Sequence, residues 1–374
     1  MNARAVDVLV IGGGIVGAAC AAALAHCGRE VLLLEKQVIG GGATAAGMGH
    51  LVVMDDSEAQ FALTRYSCEL WSALGPALPA AAQYSRCGTL WVAADEEEMN
   101  AVHAKATFYR TRKVHAEALD AKQLATAEPN LRPGLVGALR VPEDAVVYPP
   151  CVASFLLKSA KIEVREDTTI AALEPRSVRL ADDTKIEAKD IILAGGADSV
   201  RLLPDLPVRP RKGHLVITDR YPDFVRHQLV ELGYLKSAHG ASGADSVAFN
   251  VQPRPNGQLL IGSSRQYGVD DSTVEQPMLT RMLRRALAYM PKLNALSAIR
   301  AWTGFRAATP DKLPLIGPHP SREHLWLATG HEGLGITTSL GTAEILAAMM
   351  ANTEPPIPAA PYLPNRPMPG ETHG

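Results

Sequence analysis

The chain begins as an alternation of apolar and glycine-rich blocks. Residues 6–11 are apolar except for Asp7, Gly12–Gly14 interrupts them, an alanine-rich stretch runs to His26, and Val31–Leu34 is apolar again. A short apolar run closed by glycine predicts a strand, and the alanine-rich run predicts a helix followed by a second strand. Further on, Phe61, Leu63, Tyr66, Leu70, Trp71 and Leu74 recur at helical spacing over 57–75. Cys87–Ala94 reads as a strand, and the acidic run Asp95–Glu98 marks a helix start. Gly137–Val141 is a short strand stopped by Pro142, and Pro149–Ala160 a helix with proline in its first turn.

The middle of the chain changes period. Short β-type runs at 162–165, 170–173, 178–180 and 185–188 suggest a hairpin or meander, and 190–193 is an apolar strand running into glycines. Segments 208–218 and 247–264 alternate apolar and polar residues, the second around the turn Arg254-Pro-Asn-Gly. A helix is predicted over 277–290, strands over 298–306 and 325–329, and a last helix over 336–350. The final 22 residues hold seven prolines, which predicts an extended tail.

A length of 374 residues suggests about two domains, and 47% hydrophobic with 20% charged residues describes an ordinary globular chain. The net charge of -2 gives no electrostatic footprint for nucleic acid or an anionic membrane surface. Five scattered cysteines without a Cys-x-x-Cys pair fit reduced thiols in a cytoplasm and no metal site. The long apolar stretch 5–34 is broken by glycines, His26, Arg29 and Glu30, so neither a signal peptide nor a membrane span is expected.

The first block carries the most chemistry. Gly12, Gly14 and Gly17 form a Gly-x-Gly-x-x-Gly turn between a strand and a helix, and Glu35 ends the second strand. In this arrangement the first glycine turns sharply, the second leaves room for a pyrophosphate, and the third lets the helix lie against the sheet. The helix N-terminus offers N–H groups to phosphate, and the acid accepts from ribose hydroxyls. Glycine-rich loops then recur at 40–49, 194–197 and 330–335. A nicotinamide enzyme needs only the first, so the repetition favours a larger dinucleotide held from several segments.

These blocks resemble the D-amino-acid oxidase-like FAD oxidoreductases, a family that includes glycine and sarcosine oxidases and D-hydroxyproline dehydrogenases. The resemblance spans about residues 5–350. It rests on the first loop with Glu35, Gly41-Gly-Ala-Thr-Ala-Ala-Gly-Met, Gly88-Thr-Leu-Trp-Val-Ala, Ala194-Gly-Gly-Ala-Asp-Ser, Pro253-Arg-Pro-Asn-Gly and Leu259-Leu-Ile-Gly. Trp302-Thr-Gly-Phe-Arg-Ala-Ala-Thr-Pro-Asp-Lys-Leu-Pro-Leu-Ile-Gly and Gly330-His-Glu-Gly-Leu-Gly complete it.

The resemblance implies an α/β fold: a doubly wound, Rossmann-like FAD-binding domain with an inserted α+β substrate domain built on an antiparallel sheet. The expected limits are 1–83, 143–207 and 309–352 for the first, 84–142 and 208–308 for the second, and a tail at 353–374. It further implies noncovalent FAD, because Gly304 stands where sarcosine oxidases carry their flavin-linking cysteine. The expected cofactor contacts are Gly12, Gly14, Ile15, Val16, Gly17, Glu35, Lys36, Gly42, Ala43, Thr44, Ala45, Gly47, Met48 and Val164. Ala194, Gly195, Gly196, Arg306, Gly330, Glu332, Gly333, Leu334, Gly335 and Ile336 complete that set.

The implied reaction oxidises the Cα–N bond of an amino acid or secondary amine by hydride transfer to flavin N5. Arg306 is the expected carboxylate anchor, since a guanidinium grips a carboxylate with two parallel hydrogen bonds. His331 and His50 are the candidate catalytic histidines, a loop-shaping hydrogen bond being the preferred reading of His331 over a base. Asn250 and Arg265 stand at expected pocket positions, and Asn250 replaces the tyrosine of glycine oxidases, which argues against glycine as substrate. Apolar Leu260 replaces the lysine that helps oxygen react in sarcosine oxidases, which favours a dehydrogenase. The 330–340 run is most similar to the D-hydroxyproline dehydrogenase and opine oxidase type. The expected partners are a small amino acid substrate and an electron acceptor or partner subunits.

Overall fold

The computed structural model describes residues 6–233 and 245–369. These divide into two compact units, one of residues 6–82, 148–210 and 305–369, the other of residues 83–147, 211–233 and 245–304.

The first unit is built on the parallel sheet that the opening block predicts. Strand Val6–Ile11 lies between Val31–Leu34 and Lys185–Leu193, both parallel to it, and Leu325–Thr329 and Glu163–Arg165 extend the sheet in parallel on either side. Leu315–Pro318 closes one edge antiparallel to Leu325–Thr329. Two strands expected at 185–188 and 190–193 are one nine-residue strand. Its first half pairs antiparallel with Ser177–Leu180 and its second half parallel with Val6–Ile11, so a change of partner mimicked a break in the sequence. Helices Ile15–His26 and Gly335–Met350 are buried over most of their length, the first almost wholly apolar and the second with Thr337, Thr338, Ser339 and Thr342 also buried.

The proline-rich segment packs onto this same unit. Tyr362 is buried and its hydroxyl donates to Ala59 O at 2.6 Å, and Met368 joins the cluster containing Leu9, Leu193 and Leu315.

The second unit carries an eight-stranded sheet that is mixed, not purely antiparallel. Gln228–Glu231 runs parallel to Thr89–Ala93, whereas its other neighbour, Ser246–Pro253, is antiparallel. Helix Gln276–Tyr289 covers one face, burying Met282, Ala286 and Tyr289 against Phe249, Val251, Leu259 and Ile261. Each fully buried large apolar side chain on that face contributes roughly 1.5–3 kcal/mol. Among the described residues, no helix is long and apolar enough to cross a membrane.

Candidate active site

Three helices away from the glycine loops start on side-chain caps, whereas Pro149–Ser159 and Gln276–Tyr289 start with proline in the first turn and no such cap. Ser57 accepts from Gln60 N at 3.1 Å, Asp95 from Glu98 N at 2.9 Å, and Asp120 forms a capping box with Gln123. The helices at the glycine loops differ. Ile15–His26 starts at Gly14 and Gly335–Met350 at Leu334, both without a side-chain cap. Apart from Ile15 N, which donates to Thr44 Oγ1, their first-turn N–H groups and positive dipole ends point to another acceptor.

Within the first unit the four loops meet. Gly12, with φ +106°, lies so close to the 194–196 turn that a Cβ would come within 2.6 Å of Ala194 O. A Cβ on Gly17 would come within 2.0 Å of Gly12 O, which is why the helix can lie against the strand only with glycine there. Thr44, in the one-turn helix Gly42–Ala46, accepts from Ile15 N at 3.0 Å and so ties the second loop to the first. Gly47 abuts Ile336, and Val16 lies beside Gly335. Gly42, Ala43 and Ala45 are exposed, while Met48 and Val164 are half-buried. Thr329 Oγ1 donates to Gly196 O at 3.0 Å and meets Ser199 at 3.2 Å, fixing the 194–199 turn. Neither hydroxyl stands out in the sequence.

Glu35 sits at the end of its strand, half-buried, and accepts from Gly13 N at 2.6 Å and Gln37 N at 2.9 Å. Each bond takes one lone pair of a different oxygen, so the carboxylate keeps capacity for two more donors. Lys36 turns away to pair with Asp198.

The last loop is shaped from below. Gly330 and Glu332 both have positive φ, +76° and +55°, and Glu332 N donates to Ala307 O at 2.9 Å. Arg306, half-buried at the end of strand Ala298–Ala308, lies against Gly333, where an added Cβ would touch its side chain at 3.5 Å. His331 is buried, with Nε2 at 3.0 Å from Thr342 Oγ1, and burial pushes its pKa down to about 3. It is therefore neutral at ordinary pH and engaged with the helix. His50 is half-buried, and its carbonyl accepts from Thr337 Oγ1 at 2.8 Å.

In the second unit the strand register decides which way Asn250 and Arg265 point. Val216 pairs with Ile261 and Lys212 with Gln266, four residues on one strand against five on the other. That extra residue is a bulge, and it turns Arg265 onto the face opposite helix Gln276–Tyr289. Asn250, one residue before the core-facing Val251, shares that face. Asn250 is buried, and its side-chain oxygen has no hydrogen-bond partner.

The residues of the first unit fit a dinucleotide. A Cβ at Gly14 would meet only Thr44 Oγ1, at 3.1 Å, so the space beside this helix start is open, and two uncapped helix starts converge on it. The comparisons agree. Glycine oxidase of Pseudomonas putida is 27% identical over 96% of this chain and 98% of its own length. D-amino acid dehydrogenase 2 of Ralstonia nicotianae is 29% identical over 80% of this chain and 73% of its own. The crystal structure of glycine oxidase from Geobacillus kaustophilus superposes with a TM-score of 0.87 at 26% identity, covering 97% of this chain and 99% of that one. The model of the DAO family, FAD dependent oxidoreductase, matches residues 7–349, and the chain belongs to that family.

Proposed function

We propose that the protein oxidises the Cα–N bond of a D-amino acid or a cyclic secondary amino acid, D-hydroxyproline being the type example, and passes the electrons to an acceptor other than oxygen. The observation that carries this reading is the convergence of four glycine loops with Arg306 lying against the last of them.

Bound FAD supplies the two-electron acceptor. The start of helix Ile15–His26 takes the pyrophosphate, and the spare lone pairs of Glu35 take ribose hydroxyls. Thr44–Met48 and Gly330–Ile336 would hold the ring system, and the first-turn N–H groups of helix Gly335–Met350 would favour negative charge on it. Arg306 grips the substrate carboxylate through its fork and so fixes which C–H bond is presented. His331 serves as a spacer that joins loop to helix, since a neutral, buried imidazole on Thr342 is poorly placed to exchange protons. The substrate amine loses its proton to water before it reacts.

Preference for a non-oxygen acceptor is supported by apolar, buried Leu260 and by the Ralstonia relative. Oxygen as acceptor is the second reading, favoured by the glycine oxidase relatives. An anaerobic stopped-flow panel of D- and L-amino acids, prolines and opines, followed by mixing with air, tests both readings. Flavin reduction by D- or cyclic substrates with slow reoxidation is expected; fast reoxidation refutes the dehydrogenase assignment.

A further inference from the structure

Arg366 lies beyond the stretch matched by the family model, yet it makes the densest set of contacts in the C-terminal segment. Its Nε and one terminal nitrogen fork onto Asp311, at 2.6 and 2.9 Å. The same guanidinium donates to the carbonyls of Leu313 at 2.7 Å, Pro314 at 2.9 Å and Leu363 at 3.1 Å. The side chains are nearly enclosed, Arg366 at 7% and Asp311 at 15% exposure. A guanidinium gives five N–H donors in a rigid fork, and here each has an acceptor.

The clamped loop, 309–314, joins the strand that carries Arg306 to strand Leu315–Pro318. It is also held internally: Thr309 Oγ1 donates to Leu313 O at 2.8 Å, and Asp311 accepts from Leu313 N at 3.1 Å. Thr309 and Leu315 form the surface on which Gly330 rests, with a Cβ there reaching Thr309 Cγ2 at 2.7 Å. The residue two before Thr309, Ala307, holds Glu332 N. Position therefore passes from Arg366 through 309–315 to the 330–335 loop by direct contact at every step.

We propose that Arg366 is a positioning residue for the flavin: a latch from the proline-rich segment that sets the 330–335 loop in its binding geometry while leaving the Gly12–Gly17 end untouched. This rests on the reading of 330–335 as the loop that faces the flavin ring. Lysine at 366 keeps the charge but cannot fork, so Arg366→Lys loosens the loop without leaving Asp311 beside a neutral gap.

The test is titration of the apoprotein with FAD and, separately, with ADP, which probes only the Gly12–Gly17 half. For Arg366→Lys, and for Asp311→Asn, FAD is expected to bind at least tenfold more weakly and ADP unchanged. The two substitutions combined should be no worse than either alone. Equal weakening of FAD and ADP, or FAD affinity within twofold of the parent, overturns the latch. If the parent itself binds no FAD, the cofactor reading falls together with it, an outcome distinct from a parent that binds FAD and a variant that binds it equally.

Discussion

Gly14→Ala separates the cofactor's demands from the fold's. Gly14 has φ -66° and ψ 174°, a conformation open to any L-residue. Its Cβ would meet one atom, Thr44 Oγ1, at 3.1 Å, a contact relieved by a shift of tenths of an ångström. Alanine is a poor N-cap, so the apoprotein should lose at most about 1 kcal/mol. With FAD the same methyl group enters the space assigned to the pyrophosphate. Overpacking of about 1–3 kcal/mol together with a weakened charge-assisted hydrogen bond gives roughly 3 kcal/mol, or about 100-fold in affinity. At a FAD concentration of about 1,000 times the parent's Kd, cofactor stabilisation then drops from about 4 to about 1.4 kcal/mol. Melting curves of apo and FAD-saturated protein, with fluorescence titration for Kd, measure both quantities. The control is Gly17→Ala, whose Cβ would lie 2.0 Å from Gly12 O and should destabilise the apoprotein itself. FAD bound by Gly14→Ala within threefold of the parent would refute the pyrophosphate assignment.

Three further outcomes are expected. Arg306→Ala should weaken substrate binding by about 2–5 kcal/mol in anaerobic titration, with FAD affinity little changed, because a buried charge pair loses one partner; unaltered substrate affinity would remove Arg306 from the carboxylate role. Burial holds the His331 pKa at about 3 against 6.5 for the free side chain, so the unfolded chain binds the extra proton between those values. Its contribution to stability is complete above about pH 6.5 and is lost as pH falls, by roughly 2 kcal/mol at pH 5. His331→Gln should shrink the difference in unfolding free energy between pH 7.5 and 5 by that amount, and an unchanged difference refutes the account of His331. A thiol reagent under native conditions should label exposed Cys27 first and spare Cys20 and Cys87, whose thiols burial pushes up to about 12; early labelling of either contradicts their placement.

The nucleotide-binding core was legible because its requirements are local. Gly12 and Gly17 must be glycine for reasons that their own strand and helix supply, and the apolar runs around them allow little but buried strands and a helix. What escaped the sequence depends on distant partners. Gln228–Glu231 is four residues without alternation and becomes a strand through Thr89–Ala93, more than a hundred residues earlier. The bulge that turns Arg265 onto the face of Asn250 shows only in the register of two strands. The sequence favoured a loop-shaping role for His331 over a base but could show neither its burial nor that its partner is Thr342. Proline content predicted an extended tail, whereas the described segment is made of turns and a short helical turn at Ala360–Tyr362, and its docking stayed hidden because one arginine and one tyrosine among seven prolines carry no periodic signal.

The central claim, an amino acid oxidised at a flavin held by these loops, meets its most direct test in the visible spectrum of the purified protein. The expected result is a flavin band near ~450 nm, the region in which oxidised flavin absorbs, that bleaches anaerobically on addition of a D- or cyclic secondary amino acid and fails to bleach in Arg306→Ala at the same substrate concentration. A colourless protein that takes up no FAD, or a flavin band that no amino acid or amine bleaches, would contradict it.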